Sequence, residues 1–214
     1  MKVLITGFDP FGGESVNPAY EAVKLLPDTI YDAQVIKAEI PTVYGKAGAT
    51  VEALIEENHP DIVICVGQAG GRAKITIEKV AINLAEASIK DNEGNQPMDQ
   101  PIKQDGANAY FTNSPCKAVV EALNLEDIPA GISYTAGTFV CNDVMYQLLY
   151  LIDRKYHTIR GGFIHVPYAD EQVSNKAEGT PSMSIKMIAR GLEIAIQAII
   201  DNTEDIPLHM GTIQ

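Results

Sequence analysis

Short, almost unbroken apolar runs alternate along this chain with stretches in which apolar residues recur every three or four positions. Residues 2–8 (KVLITGF) predict a buried strand, and Asn17 followed by Pro18 supplies an N-cap and a first helical residue for a helix over 18–26. Residues 34–41 read as a strand and 44–58 as a helix. The continuous run 61–68 (DIVICVGQ) fits a central strand covered on both faces. Residues 74–83 (KITIEKVAIN) alternate partially, as in a strand. From 88 to 113 the chain is rich in Asn, Gly, Pro, Asp and Gln, which predicts a long loop or short hairpins of the kind that carry function. Ser114-Pro115 opens a helix to about 124, 131–137 is a strand and 141–155 a helix. Residues 161–166 form a strand stopped by Pro167, and 182–200 a long amphipathic helix. Alternating strands and helices without repeat or linker imply one domain over 1–214, an α/β three-layer sandwich with a largely parallel sheet. In such folds, sites gather beyond the carboxyl ends of the strands.

Composition narrows the class of partner. Of 214 residues, 28 are Asp or Glu against 16 Lys or Arg, a net charge of −12. That leaves no basic patch to neutralise phosphates and argues against nucleic acid or an anionic membrane. The first residues, MKVLITGFDP, are too short an apolar run for a signal peptide and read as the first strand. No stretch approaches a membrane span. Three cysteines at unrelated spacings (Cys65, Cys116, Cys141) suggest reduced thiols in a cytoplasm.

Among them Cys141 occupies the junction of a strand-like stretch and a helix. In the first helical turn, free backbone N–H groups and the dipole stabilise a thiolate, which predicts a lowered thiol pKa; they also suit an oxyanion. The alternative is a small buried thiol at a corner of the core. Cys65 lies inside an apolar run and reads as packing, and Cys116 is a weaker rival at another helix start. Of four histidines, His59 before Pro60 reads as a helix C-terminal cap, while His157 and His209 lie in polar segments. His165 ends an apolar strand on the side where a site is expected, either as a base or as a satisfied core histidine. Glu78, among Ile75, Ile77, Val80 and Ile82, is either a surface carboxylate paired with Lys74 or Lys79, or an inward-held orienter of a histidine. The stretch GQAGGR (67–72) lacks the spacing of a phosphate-binding loop or a dinucleotide fingerprint. Its glycines allow close backbone approach to a ligand, and Gln68 offers an amide. Phe8 and Phe11 in TGFDPFGG make either a loop plug or an apolar pocket wall.

The stretches TGFDPFGG (6–13), GQAGGRAKITIEKVAIN (67–83), TAGTFVCN (135–142) and GFIHVPY (162–168), with PSM (181–183), together resemble the pyroglutamyl peptidase I (pyrrolidone carboxyl peptidase) family of cysteine peptidases across essentially the whole chain. The resemblance implies a nucleophile at Cys141, a general base at His165 and an acidic orienter at Glu78. It implies aromatic walls for a lactam ring at Phe8, Phe11 and Phe139, and a ring-binding amide at Gln68. It further implies a twisted, partly mixed sheet, removal of N-terminal pyroglutamate from peptides, no cofactor or metal, and a homotetramer. One departure stands out: where the family commonly reads Ala-Arg-Ile-Pro, this chain has Ala87-Ser88-Ile89-Lys90. Two competing readings stand beside the resemblance: a cysteine amidase for a different small lactam or acyl group, if the 88–113 loop reshapes the pocket, and a binding protein that keeps the pocket but has lost activity through Ser88.

Overall fold

The computed structural model describes residues 1–211, so the last three residues of the expected domain lie outside the described residues. Its elements are β1 (Lys2–Phe8), α1 (Pro18–Lys24), β2 (Thr29–Ile30), β3 (Ala33–Ile40), α2 (Lys46–Asn58), β4 (Ile62–Gln68), β5 (Ile75–Glu78), β6 (Val80–Ile82), β7 (Ala109–Phe111), α3 (Cys116–Leu125), β8 (Ala130–Ser133), α4 (Val140–Arg154), β9 (Arg160–Val166) and α5 (Ile185–Asp201). Seven strands form one sheet in the order β2-β3-β1-β4-β9-β5-β8. The pairs β1–β3, β1–β4, β4–β9 and β5–β8 are parallel, whereas β2–β3 and β5–β9 are antiparallel. This is the expected α/β sandwich with a largely parallel, partly mixed sheet. Helices α1, α3 and α5 bury their apolar sides on one face of the sheet, and α2 and α4 on the other.

Local signals set several ends. Asn17 Oδ1 accepts from Ala19 N with Pro18 in the first turn of α1, the predicted cap. Ser184 caps α5 by accepting from Met187 N. His59 closes α2 in the left-handed region at φ 48°, and its backbone N–H donates to Ile55 O.

The strand predicted over 74–83 is two strands in two sheets. β5 joins the main sheet, and after Lys79 the chain leaves it for a two-stranded antiparallel ribbon with β7. The switch takes one residue: Lys79 N donates to Ser133 O, and Lys79 O accepts from Thr112 N. The strand predicted over 131–137 stops at Ser133, which frees 134–139 as a loop leading into α4. The polar stretch 88–113 is mostly loop, held by a bridge between Ala85 and Gln100 and by β7. No helix among the described residues is long and apolar enough to cross a membrane.

Candidate active site

Register lines up a row of residues across the sheet beneath the start of α4. Gly67 of β4 is opposite His165 of β9, and His165 is opposite Thr76 of β5. Phe8 extends the row, since its neighbour Gly7 pairs with Val66. One pleat back on the same face come Cys65, Phe163 and Glu78, also mutually opposite. Glu78 and His165 are therefore a diagonal cross-strand pair, within reach of each other. His165 Nδ1–H donates to Glu78 Oε1 at 2.7 Å, with His165 4% exposed and Glu78 fully buried. The other carboxylate oxygen, Oε2, has no hydrogen-bond partner among the described residues. Of the two readings of Glu78, the inward one holds.

The thiol enters this row from above. Phe139 is the N-cap of α4, so Cys141 falls in its first turn, as expected. A Cβ placed on Gly67 would lie 2.8 Å from Cys141 Sγ and 2.8 Å from Phe163 Cζ. The sulfur thus occupies the notch left by the missing side chain, beside the strand position of His165. The side chain of Asn142 fixes this turn: Oδ1 accepts from Ile82 N at 3.0 Å, and Nδ2 donates to Ile82 O at 2.9 Å and Leu84 O at 3.0 Å. No side chain caps α4, so the backbone N–H groups of its first turn keep their hydrogen-bonding capacity.

The expectation of a lowered thiol pKa is not met. Burial, and then the carboxylate of Glu78, push the Cys141 thiol up to about 12, with Arg72 only partly opposing them. Desolvation outweighs the helix end because the sulfur of this half-buried residue lies against the strand at Gly67. Burial also holds His165 below its ordinary 6.5, against the pull of Glu78. Glu78 stays below its ordinary value: burial pushes it up, but the hydrogen bond with His165 and the charge of Arg72 prevail. At neutral pH the resting pair is thus thiol and neutral imidazole beside an ionised carboxylate.

The other thiols are elsewhere. Cys116 is buried on the opposite face of the sheet against α5, and Cys65 is fully buried beneath the row; burial pushes each to about 12. His59, His157 and His209 are exposed, away from the row. Among the described residues no group of three or more His, Cys, Asp or Glu is placed to hold a metal.

Around the row, the rings of Phe11 and Phe139 stand 6.1 Å apart, and Tyr44 meets Phe139 edge-on at 5.5 Å. Tyr44 Oη donates to Thr138 O at 3.0 Å, bracing the loop before the nucleophile. Phe8 is buried, with its ring 6.4 Å from Phe163. Gln68 Oε1 accepts from Gln172 Nε2 at 2.9 Å. A cleft of about 470 Å³ runs between Phe139 and Thr138 on one side and Glu86, Ala87, Ser88 and Ile89 on the other, so the departure at Ser88 lines the approach to Phe139. A larger cavity of about 520 Å³, floored by Asp143 and Gln147, includes none of the predicted site residues.

Arg72 is the site residue that the sequence reading missed. Lys79 points instead toward Asp205, 4.0 Å away, and Lys74 is exposed. The guanidinium of Arg72 takes the place offered to them, with Nη1 2.6 Å from Glu78 Oε1. The signal was its position directly after Gly70-Gly71, a turn that brings its side chain beside the strand that follows.

The chain matches the family model described as pyroglutamyl peptidase over residues 1–202. A pyrrolidone-carboxylate peptidase of Enterococcus faecalis is 59% identical over 212 residues, covering 99% of each chain. One from Clostridium perfringens is 60% identical over 213 residues, covering 100% of both. Among solved structures, pyroglutamyl peptidase I from Bacillus amyloliquefaciens superposes with a TM-score of 0.94 at 51% identity, covering 97% of this chain and 99% of that one. A mutant pyrrolidone carboxyl peptidase from Pyrococcus furiosus gives 0.90 at 43%, covering 94% and 99%.

Proposed function

This chain belongs to the pyroglutamyl peptidase family of cysteine peptidases, and we propose that it removes N-terminal pyroglutamate from peptides through Cys141, His165 and Glu78 and a thioester intermediate. The observation that carries the assignment is the seating of Cys141 Sγ on Gly67, one strand from His165, with His165 bonded to Glu78 at 2.7 Å.

Pyroglutamate is a compact lactam without a free amine, so it is recognised by apolar contact with the ring and a few hydrogen bonds. Phe11 and Phe139 hold the ring between them, with Phe8 closing the inner end and the Gln68 amide nitrogen donating to the lactam carbonyl. As the substrate closes over the thiol, His165 Nε2 takes the Cys141 proton and sulfur bonds to the pyroglutamyl carbonyl carbon. This concerted transfer suits a pair that rests uncharged. The oxyanion is met by the uncapped N–H groups at the start of α4. Collapse breaks the C–N bond, and His165 returns its proton to the leaving amine. Water, activated by the same imidazole, then splits the thioester to free pyroglutamate and the thiol. Glu78 keeps Nδ1 protonated and stabilises the transient imidazolium.

The His165–Glu78 hydrogen bond and the Cys141 thiol seated one strand away support turnover over the reading as a binding protein, and paired aromatic rings support a flat lactam as ligand. One catalytic domain over the whole chain, assembled as a homotetramer in the cytoplasm, is part of the same proposal. Three free thiols and the exposed apolar side chains of Met98, Phe111 and Leu125 support it. The test is hydrolysis of pyroglutamyl p-nitroanilide against the alanyl and prolyl analogues, with Cys141→Ala as control. Turnover of the pyroglutamyl compound alone, lost in the variant, is the expected result. Equal turnover of all three amides, or full activity after thiol alkylation, would sink it.

A further inference from the structure

The stretch GQAGGR ends in a cation whose partners belong to two different parts of the site. Arg72 Nη1 donates to Glu78 Oε1 and to Thr76 Oγ1, each at 2.6 Å, and Nη2 donates to Thr135 O at 3.0 Å. Glu78 and Thr76 lie on β5, whereas Thr135 lies in the loop that delivers Cys141 to α4. We propose that Arg72 is a positioning residue, the standing counter-charge that keeps buried Glu78 ionised and the strut that ties this acid to the nucleophile's loop. The inference rests on the triad reading above.

A fully buried carboxylate survives in its charged form only with a partner charge and hydrogen bonds. His165 does not supply that charge at rest, because burial favours its neutral form. The groups facing the His165–Glu78 pair from the packed elements are Cys141 from α4, Cys65 from β4, Ser133 from β8 and Arg72 from the β4–β5 loop. Arg72 is the cation among them. Its fork binds three acceptors in two segments, which a lysine ammonium on a flexible stem does not reproduce.

The glycines before it serve this placement. Gly71 adopts φ +88°, and Arg72 N donates to Ala69 O, so the chain turns after β4 and lays the side chain along β5, the strand it is about to enter. Gly70 is bare because the ring of Tyr168 fills the space of a side chain there. Gly67 holds the thiol. A motif that resembles a ligand loop is therefore accounted for by the site's own frame.

Arg72 favours the deprotonated forms of both Glu78 and His165, so removing it raises the pH at which the pair binds a proton. The experiment measures kcat and kcat/KM for pyroglutamyl p-nitroanilide against pH in wild type, Arg72→Lys and Arg72→Met. Thermal unfolding and the ¹⁵N shifts of the His165 ring are recorded beside it. For Arg72→Met we expect kcat to fall about 10²-fold with KM little changed. The acidic limb should move up by about one pH unit, the lower end for loss of a neighbouring opposite charge. Arg72→Lys should keep the limb near wild type while recovering only part of kcat. A purely structural role would lower the melting temperature without moving the limb or the ring shifts, and that outcome overturns the proposal. If Arg72→Met does not fold, Arg72→Lys with wild-type kcat overturns it equally. An inactive wild type would strike the functional reading itself.

Discussion

Gly67→Ala tests the central geometric claim with a single methyl group. An added Cβ would lie 2.8 Å from Cys141 Sγ, and 2.8 Å and 3.2 Å from two atoms of the Phe163 ring. Comfortable carbon contacts begin at about 3.5–4.0 Å, so the sulfur or the ring must retreat by about 1 Å. The ring is backed by Phe8 and by His165, whose centroid is 4.8 Å away, so it yields poorly. The thiol at the first turn of α4 gives way instead. Overpacking of this kind costs about 1–3 kcal/mol, which in a domain of this size lowers Tm by about 2–12 °C. A nucleophile moved by about 1 Å loses about 10²-fold in rate, equivalent to about 2.7 kcal/mol of barrier. The assay is kcat/KM on a pyroglutamyl amide, paired with the rate of Cys141 alkylation by iodoacetamide. Gly161→Ala serves as the control: its Cβ meets the Ile152 side chain at the far end of β9, so it should cost stability without a comparable loss of rate. If folded Gly67→Ala retains wild-type kcat/KM and alkylation rate, the thiol is not seated on Gly67.

Cys116→Ala should leave activity within about twofold, because Cys116 lies across the sheet from the row, whereas loss of Cys141 should cost 10⁴-fold or more by analogy with other triads; equal losses would contradict the assignment. Asn142→Ala leaves one N–H and two carbonyls without their partner in a buried turn, and should cost about 2–4 kcal/mol by urea denaturation. An unchanged midpoint would refute the anchoring of α4 to β6. Stability should also fall with acid. His165, held below 6.5 in the fold, contributes stability above that value that is lost as pH drops below it; Glu78, held below 4.5, does the same in the lower window. Urea midpoints between pH 7.5 and 4 should therefore decline, less steeply in His165→Gln through the upper window. Equal slopes would count against a neutral buried imidazole.

The parts of this fold that can be read along the chain are those decided locally. Asn17-Pro18 and His59 mark helix ends because their partners lie within four residues. The strands at 2–8, 62–68 and 160–166 show as apolar runs because both faces are covered. The break in 74–83 has a signature that the partial alternation concealed: the apolar positions change phase, from odd at Ile75 and Ile77 to even at Val80 and Ile82. The chain leaves the main sheet where that change falls. Cys141, His165 and Glu78 could each be singled out as chemistry in an apolar setting, and the family motifs joined them. The partner of Glu78 could not be read this way, since Lys74 and Lys79 are nearer in sequence than the turn geometry that selects Arg72 is visible. Nor could the state of the thiol, because its desolvation comes from Phe163 and the notch at Gly67, which only the folded sheet brings together.

Residues 78–82 work as a ruler. Glu78 hangs from one end, where β5 pairs with β9, and Ile82 clasps Asn142, next to the nucleophile, at the other. The span between them is covalent and nearly extended, with no loop to absorb a change in length. Inserting or deleting one residue here would turn Glu78 to the opposite face of the sheet or draw α4 off its seat. The polar stretch at 93–107 is longer, is mostly loop and holds neither Glu78 nor the clasp on Asn142, so length variation should be better tolerated there than here. For anyone redesigning this enzyme, the segment that looks most like an ordinary strand is the one whose residue count is least free to change.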